Sequence, residues 1–212
     1  MLMARRRMMM LQKQGGRLPP EYQEVAWIAS SGTQYINSGI VGKPSVEVYA
    51  DFEFTSLPGS VANVGLLGSR DGNIRFYLIS VYRGCFHLGI YSDFTSAITV
   101  YTNTRYKYSM SYDGTDYYAK VNGETVLSGT NRNISTPYNM YIFACNNVVN
   151  GGSTPARLCS AKLYSMTIKI DGNTVRDFVP CYRKSDNVAG LYDLVEDEFL
   201  TNSGSGTFII PT

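Results

Sequence analysis

The chain has 212 residues, a net charge of +2, and an apolar content ordinary for a soluble protein. That length holds one large domain with a real core, and no stretch is apolar for long enough to cross a membrane as a helix. With 17 Tyr and 20 Gly against one His and one Trp, the composition leans towards pleated surfaces and tight turns and away from a histidine-rich metal centre.

Residues 1–20 read as an arm. Arg5, Arg6, Arg7, Lys13 and Arg17 are five of the chain's 19 basic residues, so the remaining 14 face 17 acids. Such an arm suits docking to an acidic surface, nucleic acid or a membrane. Met8, Met9, Met10 and Leu11 add an adaptable apolar knob, and Gly15-Gly16 then Pro19-Pro20 form a flexible joint and an extended stop. Three arginines followed by only four apolar residues do not make a signal peptide, so synthesis in the cytoplasm without export is expected.

From residue 21 to 212 the pattern is that of one β domain. Val46, Val48, Ala50, Phe52 and Phe54 alternate with Glu47, Tyr49, Asp51 and Glu53, which predicts a strand with one wet face. Arg75–Val81 turns at Arg83-Gly84 into Cys85–Tyr91. In Arg105–Tyr112, Tyr106, Tyr108, Met110 and Tyr112 are expected inward. Asp113-Gly114 and Asn122-Gly123 are hairpin signals around short strands at Tyr117–Val121 and Glu124–Leu127. Met140–Cys145, Arg157–Ile170 and Val175–Pro180 follow, with Asp171-Gly172-Asn173 as a turn. At most a brief helical turn is expected between Asp186 and Glu198. Many short strands without helical periodicity predict an antiparallel sandwich.

Two end segments narrow this. The first runs Glu24-Val-Ala-Trp-Ile-Ala-Ser-Ser-Gly-Thr-Gln-Tyr-Ile-Asn-Ser-Gly-Ile40. The second comprises Val175-Arg-Asp-Phe-Val-Pro-Cys181, Gly190-Leu-Tyr-Asp-Leu194 and Thr201-Asn-Ser-Gly-Ser-Gly-Thr-Phe208. Together they resemble the opening and closing strands of a laminin-G-like jelly roll of the concanavalin A-like lectin/glucanase class, in the form found in phage and prophage proteins. The resemblance spans about residues 22–210. It implies an all-β, antiparallel β-sandwich jelly roll, with the first and last strands close together and a short basic N-terminal arm. The fold houses sugar binders, hydrolases and structural modules alike, so it does not fix a function.

The chemistry that residues alone suggest is sparse. The glucanases of this class carry E-x-D-x-x-E on one strand face, and this chain lacks it. Glu47, Asp51 and Glu53 are the nearest substitute, and Glu196-Asp197-Glu198 reads as a solvated turn. His87 reads as a surface histidine with no serine beside it and no acid behind it. Cys85, Cys145, Cys159 and Cys181 contain no C-x-x-C pair, so neither metal nor cofactor is expected. Cys145 and Cys159 flank a glycine-rich turn and could face each other, with reduced thiols the expected state. Sugars would stack on exposed aromatic faces beside polar groups. Tyr77, His87 and Tyr91 form one candidate patch; Tyr117, Tyr118 and Lys120 form another. The competing reading is that these tyrosines tile a sheet or a subunit contact.

The resemblance, the missing signal and the arm together predict a non-catalytic virion-associated module of a phage, as a capsid decoration, fibre or tail appendage. Other virion proteins would be its partners through Arg5–Leu11, with bacterial-surface or mucin glycans beyond them. An oligomer is expected, and nucleic acid is not. The alternatives are a stand-alone carbohydrate-binding module and, less favoured, a glycan-cleaving enzyme.

Overall fold

The computed structural model describes residues 17–59, 63–72 and 74–212. The expected docking arm, from Arg5 to Leu11, lies outside them. Among the described residues every element is a strand, and no helix is long and apolar enough to cross a membrane.

The chain forms β1 (Tyr22–Glu24), β2 (Ile28–Ser31), β3 (Ile36–Val41), β4 (Val46–Ser56), β5 (Asn63–Asp71), β6 (Ile74–Tyr82), β7 (Cys85–Ile90), β8 (Ser92–Thr99) and β9 (Arg105–Tyr112). It continues through β10 (Asp116–Val121), β11 (Glu124–Thr130), β12 (Asn139–Ile142), β13 (Cys145–Val149) and β14 (Gly152–Ala156). It closes with β15 (Ser160–Ile170), β16 (Asn173–Arg183), β17 (Val188–Asp193) and β18 (Glu198–Thr201).

These strands make two sheets. Ten belong to a sheet whose main path runs β11-β10-β9-β4-β15-β16-β17-β18, and eight to a sheet running β14-β13-β5-β6-β7-β8. All ladders are antiparallel except β13 on β5. This is the expected sandwich jelly roll, assembled from period-two strands whose apolar faces meet.

The alternation in β4 translates into burial over most of its length: Val48, Phe52 and Phe54 have no exposed surface and Tyr49 is 40% exposed, but Glu53, expected on the wet face, is buried beneath Lys162 and Tyr164. Tyr106, Tyr108, Met110 and Tyr112 enter the core as expected. Tyrosine is tolerated there because its hydroxyl finds a partner. The Tyr108 hydroxyl donates to the Leu78 carbonyl of the opposite sheet at 2.9 Å, and Tyr112 donates to the Arg132 carbonyl while accepting from Ile134 N–H. Phe86 meets Tyr106 edge-on at 5.2 Å between ring centres, joining the two layers.

The end segments meet as predicted. β2 pairs with β15, β1 pairs with β16, and Ala29 bridges to Ile209. The centre of this junction is Asp193, only 1% exposed. Its Oδ1 accepts from the backbone N–H of Asp177 and of Val195, both at 3.0 Å. Its Oδ2 lies 3.3 Å from Arg176 Nε, at ion-pair distance but off the hydrogen-bond direction. Arg176 Nε donates instead to the Ser38 carbonyl of β3 at 3.1 Å. The two motif residues thus tie the last strands to the first.

Several local expectations change. The strand expected at Met140–Cys145 breaks at Phe143, whose φ of 65° ends β12 and lets β13 start in the parallel register. The strand expected from Arg157 starts at Ser160, because Arg157 itself has a φ of 53°. Residues 184–187 and 194–197 keep to the brief turns expected there, closed by Asn187 N–H donating to the Arg183 carbonyl at 2.8 Å and Asp197 N–H to the Asp193 carbonyl at 2.9 Å. Cys145 opposes Ala156 in its hairpin and Cys159 lies beyond it, and all four cysteines are free thiols.

Candidate functional site

The outer face of the ten-stranded sheet is set by register. Across β10, β9, β4, β15 and β16 one row reads Lys120, Ser109, Tyr49, Thr167, Asp177. Beside it run Tyr118, Ser111, Glu47 and Lys169 on one side, and Lys107, Asp51 and Ser165 on the other. A groove of about 360 Å³ lies along this face, lined by Tyr49, Asp51, Lys107, Ser109, Ser165 and Thr167. Small hydroxyl side chains leave the depression, and Tyr49 forms its aromatic wall.

The carboxylates here are already engaged. Arg105 grips Asp51 with two hydrogen bonds of 2.6 and 2.9 Å. Glu53 accepts from Lys162 at 2.7 Å and from the Tyr164 hydroxyl at 3.1 Å. Glu47 accepts from the Tyr49 hydroxyl at 2.7 Å, and that bond, with partial burial, pushes the Tyr49 phenol up to about 12. This bond fixes the ring's orientation. Aromatic rings on this face also carry cations: Lys169 lies 5.4 Å from the Tyr49 ring centre, Lys120 lies 5.2 Å from that of Tyr118, and Arg105 lies 3.8 Å from that of Tyr164. Lys162 extends the pattern to Trp27 at 5.0 Å.

Of the second candidate patch, Tyr118 and Lys120 are on this face, with Tyr118 37% exposed. Tyr117 is not. It points into the sandwich, 6% exposed, with its ring 4.6 Å from that of Phe94, because the alternation of β10 puts 117 and 118 on opposite faces. Tyr49, the exposed centre of the groove, was missed as a ligand candidate. Its place among Glu47, Asp51 and Glu53 in the wet half of β4 was the available signal.

The first candidate patch is corrected more fully. Tyr77 and His87 do point away from the core, but they are 1% and 3% exposed. Tyr77 lies over Gly68 and Gly89 of the flanking strands, where an added Cβ would come within 3.3 Å and 2.5 Å of its ring. Arg157 covers the ring's other face at 4.1 Å. Tyr91 is half-buried, with Arg132 4.8 Å from its ring centre. A sugar has no open ring of Tyr77 to stack on.

His87 sits between a serine and an aspartate. Its Nδ1 is 2.9 Å from Ser80 Oγ, and its Nε2 is 3.2 Å from Asp93 Oδ1. The Arg83-Gly84 turn foretold the opposition of Ser80 and His87, a pairing overlooked in the sequence. The arrangement lacks the features of a nucleophile. Ser80 is 1% exposed, its oxygen is 2.7 Å from the His87 carbonyl, and the ring nitrogens are used in the opposite sense to a Ser-His-Asp hydrolase. Burial lowers His87 to about 4 against the pull of Asp93, with Arg157 and Arg75 lowering it further. Among the described residues no group of three His, Cys, Asp or Glu side chains could hold a metal.

Three comparisons bear on the fold. No family model matches the sequence, and no curated protein sequence matches it. A Bacteroides ovatus protein provisionally described as carbohydrate-binding shares the fold, with a TM-score of 0.59 and 14% identity over 90% of this chain. The chain spans 60% of that protein's length. The native heptameric SAP-like pentraxin of Limulus polyphemus matches with a TM-score of 0.51 and 11% identity, covering 89% of this chain and 94% of its own. An alginate lyase of polysaccharide lyase family 7 scores 0.39, too low to argue from. The chain therefore shares the jelly-roll sandwich fold of the first two proteins, and at these identities the likeness concerns fold alone.

Proposed function

We propose that this protein is a non-catalytic carbohydrate-binding module that holds a glycan along the outer face of the ten-stranded sheet. The observation that carries this reading is the groove of about 360 Å³ in which exposed Tyr49 stands beside Ser109, Ser165, Thr167 and Lys107. An aromatic ring offers a flat surface to the apolar face of a pyranose, while hydroxyls and an ammonium meet its hydroxyl groups. The non-catalytic part is supported by Glu47, Asp51 and Glu53, each tied to a neighbour rather than left as an acid and base flanking a scissile bond.

The test is a glycan array followed by calorimetry with the glycan it selects. Tyr49→Ala is expected to weaken binding by about tenfold or more, as loss of an aromatic anchor does. Wild-type affinity in a folded Tyr49→Ala protein would refute the site. Release of new reducing ends from a bound polysaccharide would refute the non-catalytic reading. The virion-borne role rests on the sequence, the resemblance of the end segments and the arm among its grounds. Deleting residues 1–16 and scoring incorporation into a phage particle tests it, and wild-type incorporation of the shortened chain would discard it.

A further inference from the structure

The outer face of the eight-stranded sheet carries a like-charge pair that stability alone does not explain. Arg70 of β5 and Arg75 of β6 are direct cross-strand partners. Like charges directly opposite one another weaken a sheet. The next outward position along β6 is Tyr77, covered by the guanidinium of Arg157 at 4.1 Å. Three arginines therefore gather around one ring.

Their charge is only partly met. Arg75 lies 3.5 Å from Asp93, which His87 shares, and it donates to the Tyr91 carbonyl at 3.1 Å. Arg70 donates its Nε to the Gly72 carbonyl at 2.8 Å, and Arg157 donates to Asn63 Oδ1 at 2.7 Å. Among the described residues neither Arg70 nor Arg157 has a carboxylate within ion-pair distance. All three are half-buried, so part of each stays open to solvent.

A second observation is independent of charge. The hydroxyl of Tyr77 is buried and has no hydrogen-bond partner. A buried hydroxyl without a partner is costly, so its retention calls for an acceptor. Burial, then Cys145, raises the Tyr77 phenol, while Arg157, Arg70 and Arg75 oppose that rise. The hydroxyl therefore keeps its proton and can donate it.

We propose that Arg70, Arg75, Arg157 and Tyr77 form an oxyanion-binding site, separate from the groove on the opposite face, that takes the carboxylate of a uronic acid or the sulfate or phosphate of a substituted sugar. Guanidinium forks supply paired donors to such a group, and the phenol adds one more. The site does not depend on the groove, so either can fail alone.

The experiment is calorimetric titration of the full chain with sodium sulfate, phosphate and galacturonate at constant ionic strength, with chloride as reference. Saturable binding of at least one oxyanion is expected. Arg70→Gln and Arg157→Gln should each weaken it by about tenfold, the scale of a charge-assisted hydrogen bond. Tyr77→Phe should weaken it as well, and because this variant removes only a hydroxyl, a folding defect does not confuse the result. Binding of galacturonate alone would place the source in acidic glycans, and binding of sulfate or phosphate alone would place it in esters; both support the site. No saturable binding, or unchanged binding in Tyr77→Phe and both arginine variants, would overturn it. Loss in these variants with glycan binding at Tyr49 intact would separate this site from the groove.

Discussion

Replacing Asp193 by Ala should be among the most damaging single changes in the domain. The carboxylate is 1% exposed and caps two backbone N–H groups, those of Asp177 and Val195. It also neutralises Arg176, whose side chain is 15% exposed. Leaving a buried donor unpaired costs about 1–3 kcal/mol, and breaking a buried ion pair from one side costs about 3–5 kcal/mol. These effects overlap, and Glu196, 3.2 Å from Arg176, retains part of the arginine's compensation. A loss of about 4 kcal/mol is therefore expected, which for a chain of this size lowers the melting temperature by roughly 8–16 °C. Asp193→Asn keeps an oxygen for the two N–H groups and removes only the charge, so it should fall between wild type and Asp193→Ala. Urea unfolding followed by circular dichroism measures both. If Asp193→Ala costs no more than about 0.5 kcal/mol, the range of an ordinary surface change, the view that this carboxylate joins the terminal strands is wrong.

Three further outcomes follow from the same geometry. His87 is lowered to about 4 in the folded chain against an ordinary 6.5, so between these values the unfolded chain binds a proton that the folded chain refuses. Its contribution is absent above about pH 6.5, and stability falls as pH drops towards 4, by about 2–4 kcal/mol in total. Unfolding curves at pH 7, 5.5 and 4 should show this fall, and His87→Gln should flatten it; an equal fall in His87→Gln would assign it to other groups. Tyr77→Phe, measured without added oxyanion, should raise stability by about 1 kcal/mol by removing an unpaired buried hydroxyl, and a loss of that size would instead reveal a bonded partner. Tyr117→Ala should cost about 3–5 kcal/mol as a core truncation, whereas Tyr118→Ala on the opposite face should stay within about 0.5 kcal/mol, and equal costs in thermal melts would contradict their assigned faces.

The oxyanion site and the groove lie on opposite outer faces, and their polar residues arise from one rule. Each strand presents alternate residues to the core and to the outside, so a sandwich has two external surfaces on which chemistry can be placed without disturbing the core. On the ten-stranded sheet, small hydroxyls beside Tyr49 leave a depression. On the eight-stranded sheet, Gly68 and Gly89 let Tyr77 lie close to the backbone, where Arg157 can cover it.

Local alternation by itself determined the class of the protein: the inward faces of β4 and β9, and the turns at Arg83-Gly84, Asp113-Gly114 and Asn122-Gly123, are properties of neighbouring residues. It also determined that Tyr49, Asp51, Lys107 and Ser109 point away from the core. Exposure is a different matter, because it depends on what arrives from elsewhere in the chain. Tyr77 and His87 were correctly placed outward, but Arg157, eighty residues away from Tyr77, lies over the ring, and Asp93 and Tyr82 close around the histidine. Tyr117 went astray for a simpler reason: it and Tyr118 are neighbours on one strand, so alternation turns only one of them outward, and Tyr117 is the one opposite the inward Tyr112. Only the packing of the two layers decided which aromatics stayed open to a ligand, because burial is set by contacts made across the whole fold rather than by period.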